Sequence, residues 1–381
     1  MTILMLFIRR SICVAALLAV ASPPLSAAEP IQLADVLRVW RKRESAARTL
    51  RFDLVREYVR AKGTLTGINE EQGTVTTLPE SFKSDQRVVL VIDGVKMRYE
   101  RIGDTWAPGI EAPAPETMIA VFDGARQKIV HERQQSDDRM FSQGWVRSEK
   151  RHPDAANVHL SPIIRHFRPT SPVFGVIGID RLQVERQDEM VDGLRCVILK
   201  EALPDGLRAR KYWVAPDREM GIVRYVGYFQ DQVETEAEVA FKRDPKLGWV
   251  PDRWRVASFV DGALVTSATT QVASEQLNLA VAAATFDFTF PVGTQVNDRI
   301  AKRQYLVKPG RTNRVVLPIE RTRGATYSEL MQTNPGEAGR RAAGGEGFGY
   351  MSIVIIALLL LAGGIVLTLL KRSSLFPFSP R

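Results

Sequence analysis

The chain has 381 residues, with 52 Lys and Arg against 43 Asp and Glu and a formal charge of +9. Five of those cations (Arg9, Arg10, Lys371, Arg372 and Arg381) lie in terminal segments without an acid, leaving 47 against 43, an ordinary balance that gives no ground for nucleic-acid binding. Cys13 falls in a segment expected to be removed, so Cys196 stands alone, an internal disulfide is excluded, and a body of about 270 residues must bury its core unaided, which it is long enough to do.

Residues 1–28 read as a secretory signal. Arg9 and Arg10 give the positive start, residues 11–22 the short apolar run, and Ser26, Ala27 and Ala28 the small residues before a cleavage placed ahead of Glu29. An uncleaved anchor is the other reading, for which the apolar run is short. Residues 31–48 then show helical spacing. Leu33, Val36, Leu37, Trp40 and Ala47 fall on one face, and Arg38, Arg41, Lys42, Arg43 and Glu44 on the other. Core packing with a solvated outer face is expected; a basic face laid on a membrane is the alternative.

From Thr49 the period changes to two. Leu50, Phe52 and Leu54 alternate with Arg51 and Asp53, and the pattern runs on toward Tyr58. Strand-like runs recur at 87–92, 95–101, 118–122, 127–132, 182–186, 194–200, 209–214, 222–230, 235–243, 253–260 and 263–272. The pairs Asp93-Gly94, Asp123-Gly124, Asp192-Gly193 and Asp261-Gly262 fall between several of them and supply the positive φ angles of tight hairpins. Antiparallel connections follow, and the lack of strand–helix alternation argues against a parallel α/β sheet. The expected class is mainly β (α+β).

Residues 160–167 form a candidate short helix stopped by Pro169, 102–116 a Pro- and Gly-rich loop, and 134–150 a polar hairpin arm or mobile loop that holds Trp145. Phe286, Phe288 and Phe290 alternate until Pro291 and Gly293. Within 300–323, residues 303–309 and 313–319 read as a small closing hairpin, and 324–349 as a flexible tether. Residues 350–370 carry no charge and are long enough, at about 1.5 Å per residue, for a helix across a bilayer core of about 30 Å. Lys371, Arg372 and Arg381 beyond it place the 371–381 tail in the cytoplasm, the span in the inner membrane and the 29–299 body in the periplasm. The other readings of this end are a buried core helix, or a processing signal that releases the protein.

No GxSxG, HExxH, Walker or GxGxxG pattern is present, so neither an enzyme nor a cofactor is expected, and no catalytic residue is assigned. His152, His159 and His166 recur every seven residues, but Pro153 and Pro162 break any single helix across them, so no metal site is expected. Cys196 in an apolar strand pattern reads as a buried structural thiol.

The unit KYWVAPDREMGIVRY, residues 211–225, resembles the strand–turn–strand signature of the outer-membrane lipoprotein-sorting superfamily, which includes the periplasmic lipoprotein carrier and its receptor. The flanking VDGLRCVILKEAL and GWVPDRW, and the helix followed by LRFDLVREY, fit the same succession. The resemblance spans about Ile31 to Asp298. It implies a curved antiparallel sheet, an unclosed β-barrel, around the N-terminal helix, with an apolar cavity for acyl chains between them. Trp40, Phe52 and Trp213 are then the cavity candidates. A tether departs from the soluble carrier and favours a stationary role. The expected function is a membrane-anchored periplasmic binding protein for an apolar ligand, lipid or lipidated protein. The alternative is an envelope signalling or scaffold module with a filled core and a rim that binds another envelope protein.

Overall fold

The computed structural model describes residues 30–69, 74–106, 112–136, 139–148, 158–310 and 314–317. The alternation that starts at Thr49 becomes strand β1 (Thr49–Arg60), with Leu50, Phe52 and Leu54 buried and Val55 52 % exposed. A separate hairpin follows, β2 (Leu65–Asn69) and β3 (Thr74–Thr77). The chain then lays β4 (Phe82–Asp93) against β1 and meanders outward through β5 (Lys96–Thr105), β6 (Ala114–Phe122), β7 (Arg126–Ser136) and β8 (Arg139–Ser148). Much of the 102–116 and 134–150 segments is therefore strand.

After β8 the chain crosses to the far edge and starts again at β9 (Leu182–Val191). It returns through β10 (Leu194–Ala202), β11 (Arg208–Ala215), β12 (Gly221–Phe229), β13 (Gln232–Asp244), β14 (Gly248–Val260) and β15 (Ala263–Leu277). β15 pairs with the free side of β1, so β1 is the seam between two meanders. Among the described residues β9 has β10 as its strand partner, and the sheet is unclosed.

The Asp-Gly turns are where the pattern places them. Asp192 and Gly193 have φ of 46° and 77°, and Asp261 and Gly262 of 51° and 76°, the two positive values a type I′ hairpin needs. The Asp123 carboxylate accepts from the backbone N–H of Ala125 and Arg126 (2.9 and 2.7 Å), which closes the β6–β7 turn.

One pairing departs from the antiparallel rule. Phe286 ends a short helical turn (Ala283–Phe286), and Phe286 and Phe290 bury their rings on one face of β4–β8 beside Val91, Val121, Val130 and Val146. The chain thus crosses the sheet before β16 (Gln295–Asp298), which pairs in parallel with β8. Only a crossover, not a tight turn, permits that direction. β17 (Arg303–Val307) then pairs antiparallel with β16.

The opposite face, here called the inner face, carries α1 (Leu33–Ala46) and α2 (Ser161–Phe167). α1 packs on β9 and α2, and α2 packs on β12 and β14. Val36, Trp40, Phe52, Leu90, Phe167, Tyr212 and Trp254 form one continuous core between helices and sheet. Arg43, expected on the solvated face of α1, is 8 % exposed.

The chain divides into Met1–Val307 and Lys308–Arg381; in the second the strand Arg314–Leu317 is described. The expected signal (1–28), tether (324–349), span (350–370) and tail (371–381) lie outside the described residues. Among the described residues no helix is long and apolar enough to cross a membrane.

Candidate functional site

The β11–β12 turn is the seat of α1. Its residues Glu219 and Met220 have positive φ (52° and 57°), which turns their carbonyls toward the helix. The Trp40 indole Nε1–H donates to Met220 O at 2.7 Å, and Arg43 donates to Glu219 O at 2.9 Å and to His166 O at 2.8 Å. Burial pushes the Arg43 guanidinium down to about 10, although Glu219 and Glu44 oppose the shift. Phe52 packs on Phe167 with ring centres 5.6 Å apart. Trp40 is 0 % and Phe52 1 % exposed, and side chains fill the space around both.

Trp213 does not join them. Along β11, Tyr212 and Val214 enter the core under the helices, while Trp213 and Ala215 join Cys196, Ile198, Val223 and Val226 on the other face. Its indole N–H donates to Glu189 Oε1 at 2.8 Å. Successive strand residues face opposite ways, so a strand apolar on both faces gives no parity by which sequence could assign Trp213. Cys196 is buried in that outer cluster, and desolvation pushes its thiol up to about 11. His159 lies against Tyr58 and His166 against Phe167 and Phe241, whereas His152 lies outside the described residues. Among the described residues no group of three His, Cys, Asp or Glu side chains is placed to hold a metal ion.

Toward one end of the inner face the apolar floor gives way to a charged cluster. Register carries it across five strands: Arg56 on β1 faces Gln86 on β4, Arg101 on β5 faces Met118 on β6, and Glu116 on β6 faces Arg133 on β7. Glu116 is 3 % exposed, ion-pairs with Arg101 and Arg133, and lies 3.4 Å from His131 Nδ1. Desolvation alone would raise its carboxyl, but the hydrogen bonds from His131 and Arg133 and the Arg101 charge prevail and hold it at about 2. Among the described residues Arg56 has no carboxylate partner. Its Nε donates to Gln86 Oε1 at 2.9 Å, and Nη2 to the same oxygen and to Tyr99 OH at 3.4 Å. Next to this cluster Met118 and Trp145 stand half-buried at the margin of the core, with Trp145 edge to face on His131 at 5.3 Å.

Sequence reading passed over Arg56, although a signal was present. Positions 50, 52, 54, 56 and 58 share one parity and read Leu, Phe, Leu, Arg, Tyr, so a cation sits on the core side of the alternation.

Fold and site together define a class: a mainly β protein whose unclosed sheet bears two helices on an inner face that is apolar at one end and basic at the other. Among solved structures, the chain is similar to a DUF1329 family protein from Desulfovibrio piger (12 % identity, 67 % of this chain and 95 % of that chain, TM-score 0.37). It is also similar to a LolA superfamily protein from Nitrosomonas europaea (10 % identity, 67 % of this chain and 98 % of that chain, TM-score 0.34). No family model and no curated protein matches the chain.

Proposed function

We propose that the protein is a non-enzymatic binding protein of the cell envelope that takes an apolar ligand, a lipid or the acyl chain of a lipidated protein, on the inner face of its open sheet. The carrying observation is the half-buried pair Met118 and Trp145 at the margin of a continuous apolar core. Each methylene that leaves water there contributes about 0.8 kcal/mol. The absence of hydrolase and nucleotide motifs from the sequence supports binding over catalysis. The signal-like sequence of 1–28 and the uncharged run at 350–370 support a periplasmic body on a single inner-membrane span; a reporter fused after Asp298 tests this by its compartment.

The test of binding is intrinsic fluorescence of the full chain during titration with a fatty acid or lipopeptide. A shift that Trp145→Phe abolishes is expected. An unchanged spectrum, together with no lipid co-purifying by mass spectrometry, would overturn the proposal. The packed surroundings of Trp40 and Phe52 favour a second reading, an envelope signalling or scaffold module with a filled core and a protein-binding rim. Under that reading no ligand binds and a partner protein cross-links to the rim.

A further inference from the structure

Arg56 is 2 % exposed, and its hydrogen-bond partners, Gln86 and Tyr99, are both neutral. Among the described residues its Nη1 has no hydrogen-bond partner. Directly opposite on β15, in register with Arg56, is Thr270, which is 1 % exposed and whose Oγ1 also lacks a partner. A buried N–H donor and a buried hydroxyl, both without partners among the described residues, thus stand across from each other in one strand pair, where facing side chains start about 5 Å apart. A buried guanidinium without a counter-ion opposes folding, and buried polar groups left without partners call for a ligand that supplies acceptors.

The surroundings specify the sign of that ligand. Arg60 and Arg101 act with Arg56 on Tyr58, and the carboxylate beside Arg101, Glu116, is already engaged by Arg101, Arg133 and His131. Arg101 Nε is likewise buried without a partner. Tyr58 and His159 border the same end, edge to face at 5.5 Å. The charges of Arg56 and Arg101 reach both: with burial as the larger cause, they help push the His159 imidazole down to about 3. The neutral imidazole leaves the local charge to the arginines. Two residues along each strand the floor becomes apolar, with Leu54, Val88 and Val272 all buried in the core.

We infer that Arg56 Nη1, Thr270 Oγ1 and Arg101 form a buried subsite for the anionic head group, phosphate or carboxylate, of an amphiphile whose chain lies along the adjoining apolar floor. The inference rests on the apolar-ligand proposal and adds the head group to it. One acceptor oxygen of the anion takes the Arg56 N–H and a second takes the Thr270 hydroxyl, while Arg101 supplies field. The head group thereby fixes which end of the ligand enters first, and the apolar floor fixes where the chain runs.

The experiment is titration calorimetry on the full chain held in amphipol, with dodecyl phosphate, dodecanol and inorganic phosphate as probes. Dodecyl phosphate should bind at least about tenfold more tightly than dodecanol, as one charge-assisted hydrogen bond provides. Arg56→Gln should erase that difference and leave dodecanol affinity unchanged, and Arg56→Lys should restore part of it. If Arg56→Gln does not fold by circular dichroism, Thr270→Val, which keeps volume and charge, carries the test and should weaken only dodecyl phosphate. Equal affinity for dodecanol and dodecyl phosphate would overturn the head-group subsite and leave the apolar proposal standing. No binding of either would overturn both. Inorganic phosphate as tight as dodecyl phosphate would overturn the amphiphile and show a free-anion site.

Discussion

Replacing Trp40 with alanine separates a filled interior from a ligand-lined one. The indole is fully buried between α1 and the sheet, and its N–H holds the carbonyl of Met220 at 2.7 Å. Truncating a buried tryptophan costs about 3–5 kcal/mol, because transferred surface and a residual cavity both count. Losing the hydrogen bond strands the Met220 carbonyl and adds about 1 kcal/mol. The sum, about 4–6 kcal/mol, is a large share of the roughly 5–15 kcal/mol that holds a domain folded. Trp40→Phe keeps most of the ring and forfeits the hydrogen bond, so it should cost about 1–2 kcal/mol. The assay is urea unfolding followed by far-UV circular dichroism, with a lowered midpoint and an unchanged slope expected. A loss below about 1 kcal/mol in the alanine variant would refute the reasoning, since only a ring bordering refillable space comes away so cheaply. The cavity expected from sequence would then lie at Trp40 after all.

Stability should fall on acidification in two stages. Burial holds His166 well below its ordinary value of 6.5 and, with Arg56 and Arg101, holds His159 at about 3. Both bind a proton on unfolding and not in the fold, so their contribution is complete above the unfolded value and drains as pH drops below it, by up to about 1.4 kcal/mol per pH unit for each. Glu116, held at about 2 against an ordinary 4.5, contributes above 4.5 and loses that contribution as pH falls toward 2. Melting temperatures across the acid range check this; a flat profile through the histidine window is the contrary result. Gly144→Ala should destabilise by about 1–3 kcal/mol through overpacking. A β-carbon there would stand 2.6 Å from Phe290 Cε1 and 3.1 Å from Thr294 Cγ2, and thermal melting measures the cost. An unchanged melt would mean that Phe290 does not cap β8.

Much of the sheet was legible because one solvated face imposes a period of two, and Asp-Gly marks where strands reverse. The β12–β13 turn, legible as the break between the runs at 222–230 and 235–243, does without a glycine: Gln230 and Asp231 supply φ of 48° and 65°. The β2–β3 hairpin, LTGIN and TVTT, is too short and polar for a period to register. Pairing order is the deeper loss. Leu50 lies beside Leu277 and Arg56 beside Thr270, and nothing local in either strand announces the other. The site depended on that pairing, so its two unpartnered groups, Arg56 Nη1 and Thr270 Oγ1, emerged only from the fold. Arg43 shows the converse: on the helical wheel it belongs to the basic face, but the β11–β12 turn and the end of α2 close over it and supply carbonyl acceptors.

The seam at β1 also sets the order of assembly. From β4 to β8 and from β9 to β15 each strand pairs with its neighbour in sequence, whereas β1 meets β15 across more than two hundred residues. A chain emerging N-terminus first therefore holds β1 with one bare hydrogen-bonding edge until nearly the whole body has been delivered. That interval is when the nascent protein is most exposed to mispairing with its own copies, and chains cut short before Ala263 would keep the edge open for good.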